Sequence, residues 1–156
     1  MNGTKVRVGI YGASGYAGQD VVEILSKHPH VELIFATSGT YAGQRVPFSQ
    51  LRYIKPDAAD LGTVDAVFLA LPHGVSAAMA AQANQAGVKV IDLSADLRLD
   101  TPERYQQWYN HEHPHPELLP TPYGLPEINR ANITGKSVIA APGCYPTTTI
   151  LGLYPL

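Results

Sequence analysis

The stretch Gly9-Ile10-Tyr11-Gly12-Ala13-Ser14-Gly15-Tyr16-Ala17-Gly18 constrains this chain more than any other, because it joins an apolar run, Val6 to Tyr11, to an amphipathic one, Gln19 to Lys27. That order reads as a strand turning sharply into a helix. Gly12, Gly15 and Gly18 withhold Cβ atoms where the chain bends, where a ligand would approach the backbone and where the helix packs on its strand. The helix that follows offers unpaired N–H groups and the positive end of its dipole, an anion site suited to a pyrophosphate without any basic side chain. The spacing is G-x-x-G-x-x-G rather than G-x-G-x-x-G, and no Lys followed by Ser or Thr closes the loop as in an ATP-type P-loop. A tight turn with no ligand is the alternative reading.

Further apolar runs follow at intervals that alternate with helical patterns. Val31 to Thr37 comes after His28-Pro29-His30, Ala66 to Leu71 is broken by Pro72-His73-Gly74, and Val88 to Leu93 follows an Ala-rich helix from Val75 to Gln85 that ends at Gly87. Ser137 to Ala141 is the last such run, and Pro142-Gly143-Cys144-Tyr145-Pro146 turns it into a helix through Leu153. Unbroken apolar strands suit a parallel sheet buried on both faces, and strands alternating with helices over short connections imply right-handed crossovers. The expected fold is therefore α/β, a Rossmann-like, doubly wound, mainly parallel sheet over residues 1–156, with its ligand crevice beyond the carboxyl ends of the strands. Tyr41 to Thr63 reads as a loop with one edge strand at Leu51 to Ile54, and Pro120 to Pro126 as a turn-rich connection. Thr101 is placed as the N-cap of a short helix to about Asn110, with Pro102 at its first position and with Tyr105, Trp108 and Tyr109 as packing residues.

The crevice rule gathers the glycine turn, Thr37-Ser38, Leu71-Pro72-His73 and Ser94 to Arg98 into one cleft. Where a dinucleotide fold usually carries Asp or Glu for the ribose 2′-hydroxyl, this chain has Ala36-Thr37-Ser38-Gly39-Thr40. Hydroxyls without a carboxylate favour NADP over NAD there; a plain polar turn is the other reading. His73 is either a structural histidine or a cofactor contact. Arg98 either pairs with Asp96 or Asp100, or grips a phosphate or carboxylate bidentately. His111-Glu112-His113-Pro114-His115-Pro116 is read as a solvated loop rather than a metal site, because its prolines interrupt any helical or finger-type frame.

The 156 residues are 45% hydrophobic with a formal charge of −2, enough chain for a real core and no basic face for nucleic acid. No apolar run reaches membrane-spanning length, and Met1 to Lys5 leads into the first strand without a signal-type apolar segment, which points to the cytoplasm. The lone cysteine, Cys144, has no intramolecular disulfide partner. At a strand's carboxyl end and a helix N-terminus, its thiolate, the form that attacks acyl groups, is favoured; a buried structural cysteine is the alternative.

Taken in order, GASGYAG at 12–18, TSGTYAG at 37–43, ALPHG at 70–74, DLSADLR at 92–98, YGLPE at 123–127 and APGCYPT at 141–147 span nearly the whole chain. On these motifs the chain resembles the N-acetyl-gamma-glutamyl-phosphate reductases, NADP-dependent enzymes of arginine biosynthesis. The resemblance implies Cys144 as nucleophile and Gly12, Ala13, Ser14, Gly15, Tyr16 and Ala17, with Thr37 and Ser38, as the NADP site. It also implies Leu71, Pro72 and His73 beside the cofactor and, by analogy with the related aspartate-semialdehyde dehydrogenases, Arg98 as a substrate or phosphate contact. Members often carry a basic residue directly after the Thr-Ser pair, where this chain has Gly39-Thr40. Members also continue through a second α+β domain, absent from this chain, that supplies a catalytic histidine and the homo-oligomer interface. The implied reaction reduces N-acetyl-glutamyl phosphate to its semialdehyde through a Cys144 thioester. Alternatives are a sister reductase acting on aspartyl or aminoadipyl phosphate, and a nucleotide-binding fragment without turnover.

Overall fold

The five apolar runs pair into one sheet. A computed structural model describes residues 4–156; the first three residues of the Met1 to Lys5 lead into the first strand lie outside them. Strands β1 (Val6–Tyr11), β2 (Val31–Ala36), β3 (Ala66–Leu69), β4 (Lys89–Asp92) and β5 (Val138–Ala140) are all parallel, in the order β2-β1-β3-β4-β5. Between and after them lie α1 (Tyr16–Ser26), α2 (Ser76–Gln85), α3 (Pro102–Tyr109), α4 (Pro126–Ile133) and α5 (Cys144–Leu153). No helix among the described residues is long and apolar enough to cross a membrane.

Period-two alternation sends successive strand residues to opposite faces, and each face has its own core. On one, Val67, Leu69 and Val90 pack with Ala77, Ala80 and Ala83 of α2. On the other, Val8, Ile10 and Ala66 pack with Val22 of α1. Helices on both faces make the sheet doubly wound, as expected. Because β1 is flanked by β2 on one side and β3 on the other, successive crossovers leave it in opposite directions, and a crevice opens at the ends of β1 and β3.

Two glycines make that meeting point close enough. Gly12 has φ +71°, and a Cβ there would fall 2.2 Å from the Ala70 carbonyl oxygen at the end of β3. A Cβ on Gly18 would fall 2.3 Å from the Gly12 oxygen and 2.7 Å from the Ala13 Cα. Both obstacles are backbone, which cannot rotate away.

Local signals hold at the caps: Thr101 accepts from the Arg104 N–H at 3.3 Å with Pro102 following, and Gly87 closes α2 at φ +76°. Elsewhere the structure departs from the pattern. Helix α1 begins at Tyr16, three residues before Gln19, because extended Gly15 serves as its N-cap. Leu51 to Ile54 is no strand; it makes isolated bridges, Ile54 with Thr37 and Arg52 with Arg45, that close a hairpin against the end of β2. Helix α4 begins on the last residue of the Pro120 to Pro126 connection and runs through residues 127–133, where no element was expected; Pro126 sits in its first turn, and the helix kinks at Asn129. Trp108 is 71% exposed whereas Tyr105 is fully buried, because the eight-residue α3 meets the sheet end along the Tyr105–Tyr109 edge only.

The Gly18 contact predicts that Gly18→Ala lowers the free energy of urea unfolding by about 2 kcal/mol or more. Gly15→Ala, with its nearest obstacle at 3.6 Å and no positive φ, changes it by less than about 1 kcal/mol. Equal losses for the two variants would contradict the packing role of Gly18.

Candidate active site

At the carboxyl edge of the sheet the structure lines up the glycine turn after β1, Thr37-Ser38 after β2, Leu71-Pro72-His73 after β3, Ser94 to Arg98 after β4 and Cys144 after β5. Gly12 and Ala13 are fixed from below: the Thr37 hydroxyl accepts from the Gly12 N–H at 3.2 Å, and the Ala13 N–H donates to the Thr37 carbonyl at 3.0 Å. The Ser14 and Ser38 hydroxyls share a hydrogen bond of 2.8 Å, and Ser38 also accepts from the Tyr41 N–H at 3.1 Å. Thr37 and Ser38 are thus buried and hold the turn in shape, while Gly15, Tyr16 and Ala17 lie exposed at the N-terminus of α1, where no side chain caps the helix. An exposed, uncapped helix start behind a turn that carries Gly12 and Gly15 is a geometry suited to a pyrophosphate.

Leu71 packs over the turn, its Cδ2 lying 3.3 Å from where a Gly12 Cβ would stand. The rest of the β3–α2 loop is organised by a residue the sequence reading used only as a partner for Arg98. Asp96, fully buried, accepts from the Gly74 N–H at 2.8 Å, the Ala77 N–H at 3.0 Å and the His73 Nδ1 at 2.8 Å. His73 also packs against Tyr109 at 4.4 Å between ring centroids, the ring planes tilted by 43°, and faces the Tyr105 hydroxyl at 3.4 Å. Burial first, and then the Asp96 carboxylate, push the Tyr105 phenol up to about 12. Of the loop expected to be solvated, His111, Glu112, Pro114 and Pro116 are exposed, and His113 alone is buried in this cluster. His113 is 5% exposed, donates from Nε2 to the Asp96 carbonyl at 2.9 Å and accepts at Nδ1 from the His115 N–H at 3.0 Å, which leaves it no lone pair for a metal.

The D-x-S-x-D spacing within DLSADLR is the signal that could have revealed this network. Short polar side chains that bond the backbone two residues on form successive turns. Asp92 accepts from the Ser94 N–H at 3.0 Å and the Ser94 hydroxyl at 2.8 Å, and Ser94 accepts from the Asp96 N–H at 3.0 Å. Ser76 of α2 donates to Asp92 as well, tying the helix start to the end of β4. Burial dominates for the Asp92 carboxyl and holds it above the usual carboxylate range, against the lowering effect of the Ser76 and Ser94 hydrogen bonds.

Arg98 pairs with neither Asp96 nor Asp100. Its Nε donates to the Ala141 carbonyl at 2.9 Å and its Nη2 to the Leu93 carbonyl at 2.7 Å, so it clamps the ends of β4 and β5 together. Its Nη1 lies 2.9 Å from where a Cβ on Gly143 would stand, directly beside Cys144. Cys144 is exposed and opens α5, with Gly143 as N-cap and no side-chain cap. A continuous set of contacts therefore runs from His73 through Asp96 and its loop to Arg98 and the cysteine turn. A groove of about 340 Å³ between Leu25, Leu33 and Phe48 lies off the outer side of β2, away from every one of these groups.

The semialdehyde dehydrogenase NAD-binding domain family matches residues 7–136. Among curated proteins, the N-acetyl-gamma-glutamyl-phosphate reductase of Azotobacter vinelandii is 46% identical over 97% of this chain and 47% of its own length. The protein of the same name from Acidithiobacillus ferrooxidans is 48% identical over 97% of this chain and 46% of its own. The chain thus spans about half the length of the curated relatives it matches. Among solved structures, aspartate semialdehyde dehydrogenase II from Vibrio cholerae superposes with a TM-score of 0.75 over 97% of this chain and 46% of that one, at 24% identity, a likeness of fold.

The raised Asp92 carboxyl makes a signed prediction. A folded value above the unfolded one, near 3.8, means that the stability this group contributes is present in full below that pH and is lost as pH rises through the folded value. Stability of the wild type relative to Asp92→Asn therefore falls as pH rises above about 4 in urea titrations. A difference that does not vary with pH, or that grows, would contradict the burial of an ionising carboxyl here.

Proposed function

This chain belongs to the semialdehyde dehydrogenase family, and on that premise we propose that it is the cofactor-binding, nucleophile-bearing domain, residues 1–156, of an NADP-dependent reductase acting on N-acetyl-glutamyl 5-phosphate. The observation that carries the reading is one sheet edge with an uncapped anion-binding turn at β1 and an exposed thiol at β5. Three inter-strand steps separate them, about 14 Å, a span suited to an extended dinucleotide laid across the edge.

The residues fit such a cofactor: Gly12 and Gly18 let the turn and α1 pack closely, the N–H groups of Tyr16 and Ala17 at the exposed helix start face a pyrophosphate, and Leu71, Pro72 and His73 flank it. In the proposed chemistry the Cys144 thiolate attacks the acyl carbon, the C–O bond to phosphate breaks, and a thioester forms with release of inorganic phosphate. NADPH, when bound, supplies the hydride that reduces the thioester to the semialdehyde and returns the thiolate. On this reading Arg98 steadies the departing phosphate with the Nη1 it does not use on carbonyls, and its bonds to the Leu93 and Ala141 carbonyls hold the ends of β4 and β5 beside the cysteine turn. Thr37 and Ser38 serve the cofactor by shaping the turn. On this reading the partners are small molecules and further copies of the enzyme, and the setting is cytoplasmic arginine biosynthesis.

The test is phosphate-dependent NADPH formation from N-acetylglutamate semialdehyde, run on this chain and on a fusion to the C-terminal half of the Azotobacter vinelandii relative. The fusion turns over and this chain alone binds NADPH with little or no turnover. Cys144→Ser in the fusion lowers kcat by about a thousandfold or more with NADPH affinity within about threefold. An active Cys144→Ser variant would remove the nucleophile assignment, and faster reaction with aspartate semialdehyde would move the substrate to the sister reductases.

A further inference from the structure

A phosphate monoester at the 2′ position needs a cation, and neither the residues directly after Ser38 nor the Thr37 hydroxyl supplies one: Gly39 and Thr40 are uncharged and the Thr37 hydroxyl is committed to Gly12. The loop from Tyr41 to Tyr53, irregular in sequence, returns to the same spot. Its hairpin is closed by bonds from Gly43 N–H to the Tyr53 carbonyl at 2.7 Å, Tyr53 N–H to the Gln44 carbonyl at 2.9 Å and Val46 N–H to the Leu51 carbonyl at 2.9 Å. Val46 and Tyr53 anchor it, both buried in the core on the α1 face. Between this hairpin and the glycine turn lies a cavity of about 210 Å³, lined by Ser14, Gln19, Tyr41, Gln44, Arg45 and Tyr53, with no carboxylate in its wall.

We infer that Arg45 is the specificity-determining residue that holds the 2′-phosphate of NADP in this cavity, beyond β2 and beside Ser14. The assignment rests on the proposed cofactor reading and deepens it by naming the group that separates NADP from NAD. Three observations converge on Arg45. The cavity adjoins the turn at the end of β2, the place where a dinucleotide's ribose 2′ substituent lies. Among the described residues Arg45 has no carboxylate partner, its side chain making one long bond of 3.4 Å to Gln50 Oε1. Arg45 also faces Arg52 across the hairpin bridge, and like charges placed opposite each other destabilise a strand pair unless an anion lies near them. Arg52 is committed elsewhere, donating from Nη1 to the Gly43 carbonyl at 2.7 Å, which leaves Arg45 as the guanidinium in the cavity wall. Its planar fork matches two phosphate oxygens at once. Ser14, whose hydroxyl shares a hydrogen bond with Ser38, also lines the cavity.

The experiment measures dissociation constants of NADP, NAD, 2′-AMP and 5′-AMP for this chain and for its Arg45→Met and Arg45→Lys variants, with thermal melts to register any loss of fold. The wild type binds NADP more tightly than NAD and 2′-AMP more tightly than 5′-AMP. Arg45→Met weakens NADP and 2′-AMP by about tenfold to a hundredfold, the range of a lost charge-assisted bond, and leaves NAD and 5′-AMP within about twofold. Arg45→Lys, which keeps the charge and loses the fork, falls between. If the wild type discriminates and Arg45→Met leaves the discrimination intact, or weakens all four ligands alike at an unchanged melting temperature, the assignment of Arg45 is overturned while the NADP reading stands. If the wild type itself prefers NAD or binds neither dinucleotide, the cofactor reading fails and the Arg45 assignment with it.

Discussion

The approach of β1 to β3 at their carboxyl ends governs the rest of the molecule. At Gly12 the chain leaves β1 with a positive φ and passes against the Ala70 carbonyl, a contact that any Cβ would prevent. Parallel pairing places every strand's carboxyl end on this same side, so the closeness of that one contact decides whether α1 starts directly over the β1–β3 crevice. Gly18 completes the arrangement by letting α1 settle onto the turn. Leu71 then closes the far wall, and the uncapped helix start is left facing outward.

Polar groups buried at the sheet end do the second part of the positioning. Asp92 and Asp96 lie beneath the site with their oxygens satisfied by backbone N–H groups, serines and His73, so that each fixes a different loop: Asp92 the start of α2, Asp96 the β3–α2 connection. Buried carboxylates are costly unless fully bonded, and a network of this kind specifies one loop geometry at the expense of stability. The raised Asp92 carboxyl is the signature of that expense. Arg98 extends the same logic to the cysteine turn, using two carbonyls rather than a carboxylate and so retaining its full charge beside Cys144.

The sheet was legible in the sequence because buried parallel strands are continuous apolar runs and because Gly87, Thr101 and Pro102 are unambiguous caps. The glycine turn, the cysteine turn and their placement on one edge followed from topology. What pattern alone did not carry were interactions between residues distant in the chain. Asp96 reads as a loop acid until α2 and α3 are folded over it, and His113 reads as solvated until Tyr105 is buried beneath it at a centroid distance of 4.5 Å. Arg45 lies in a segment without periodicity, and only the bridges to Arg52 and from Thr37 to Ile54 bring that segment back to the end of β2. The start of helix α4 was hidden because Pro126, read as the end of a turn-rich connection, is also a residue of the first helical turn.

The claim on which the account turns is that one cofactor lies along the carboxyl edge from the glycine turn to the cysteine turn. Titration of NADPH into isotope-labelled protein, followed through backbone amide shifts, tests it most directly. The account predicts one contiguous band of perturbed amides at Gly12 to Ala17, at Leu71, His73 and Gly74, and at Gly143 to Tyr145. Shifts absent from Gly12 to Ala17, or confined to the outer groove between Leu25, Leu33 and Phe48, would contradict it.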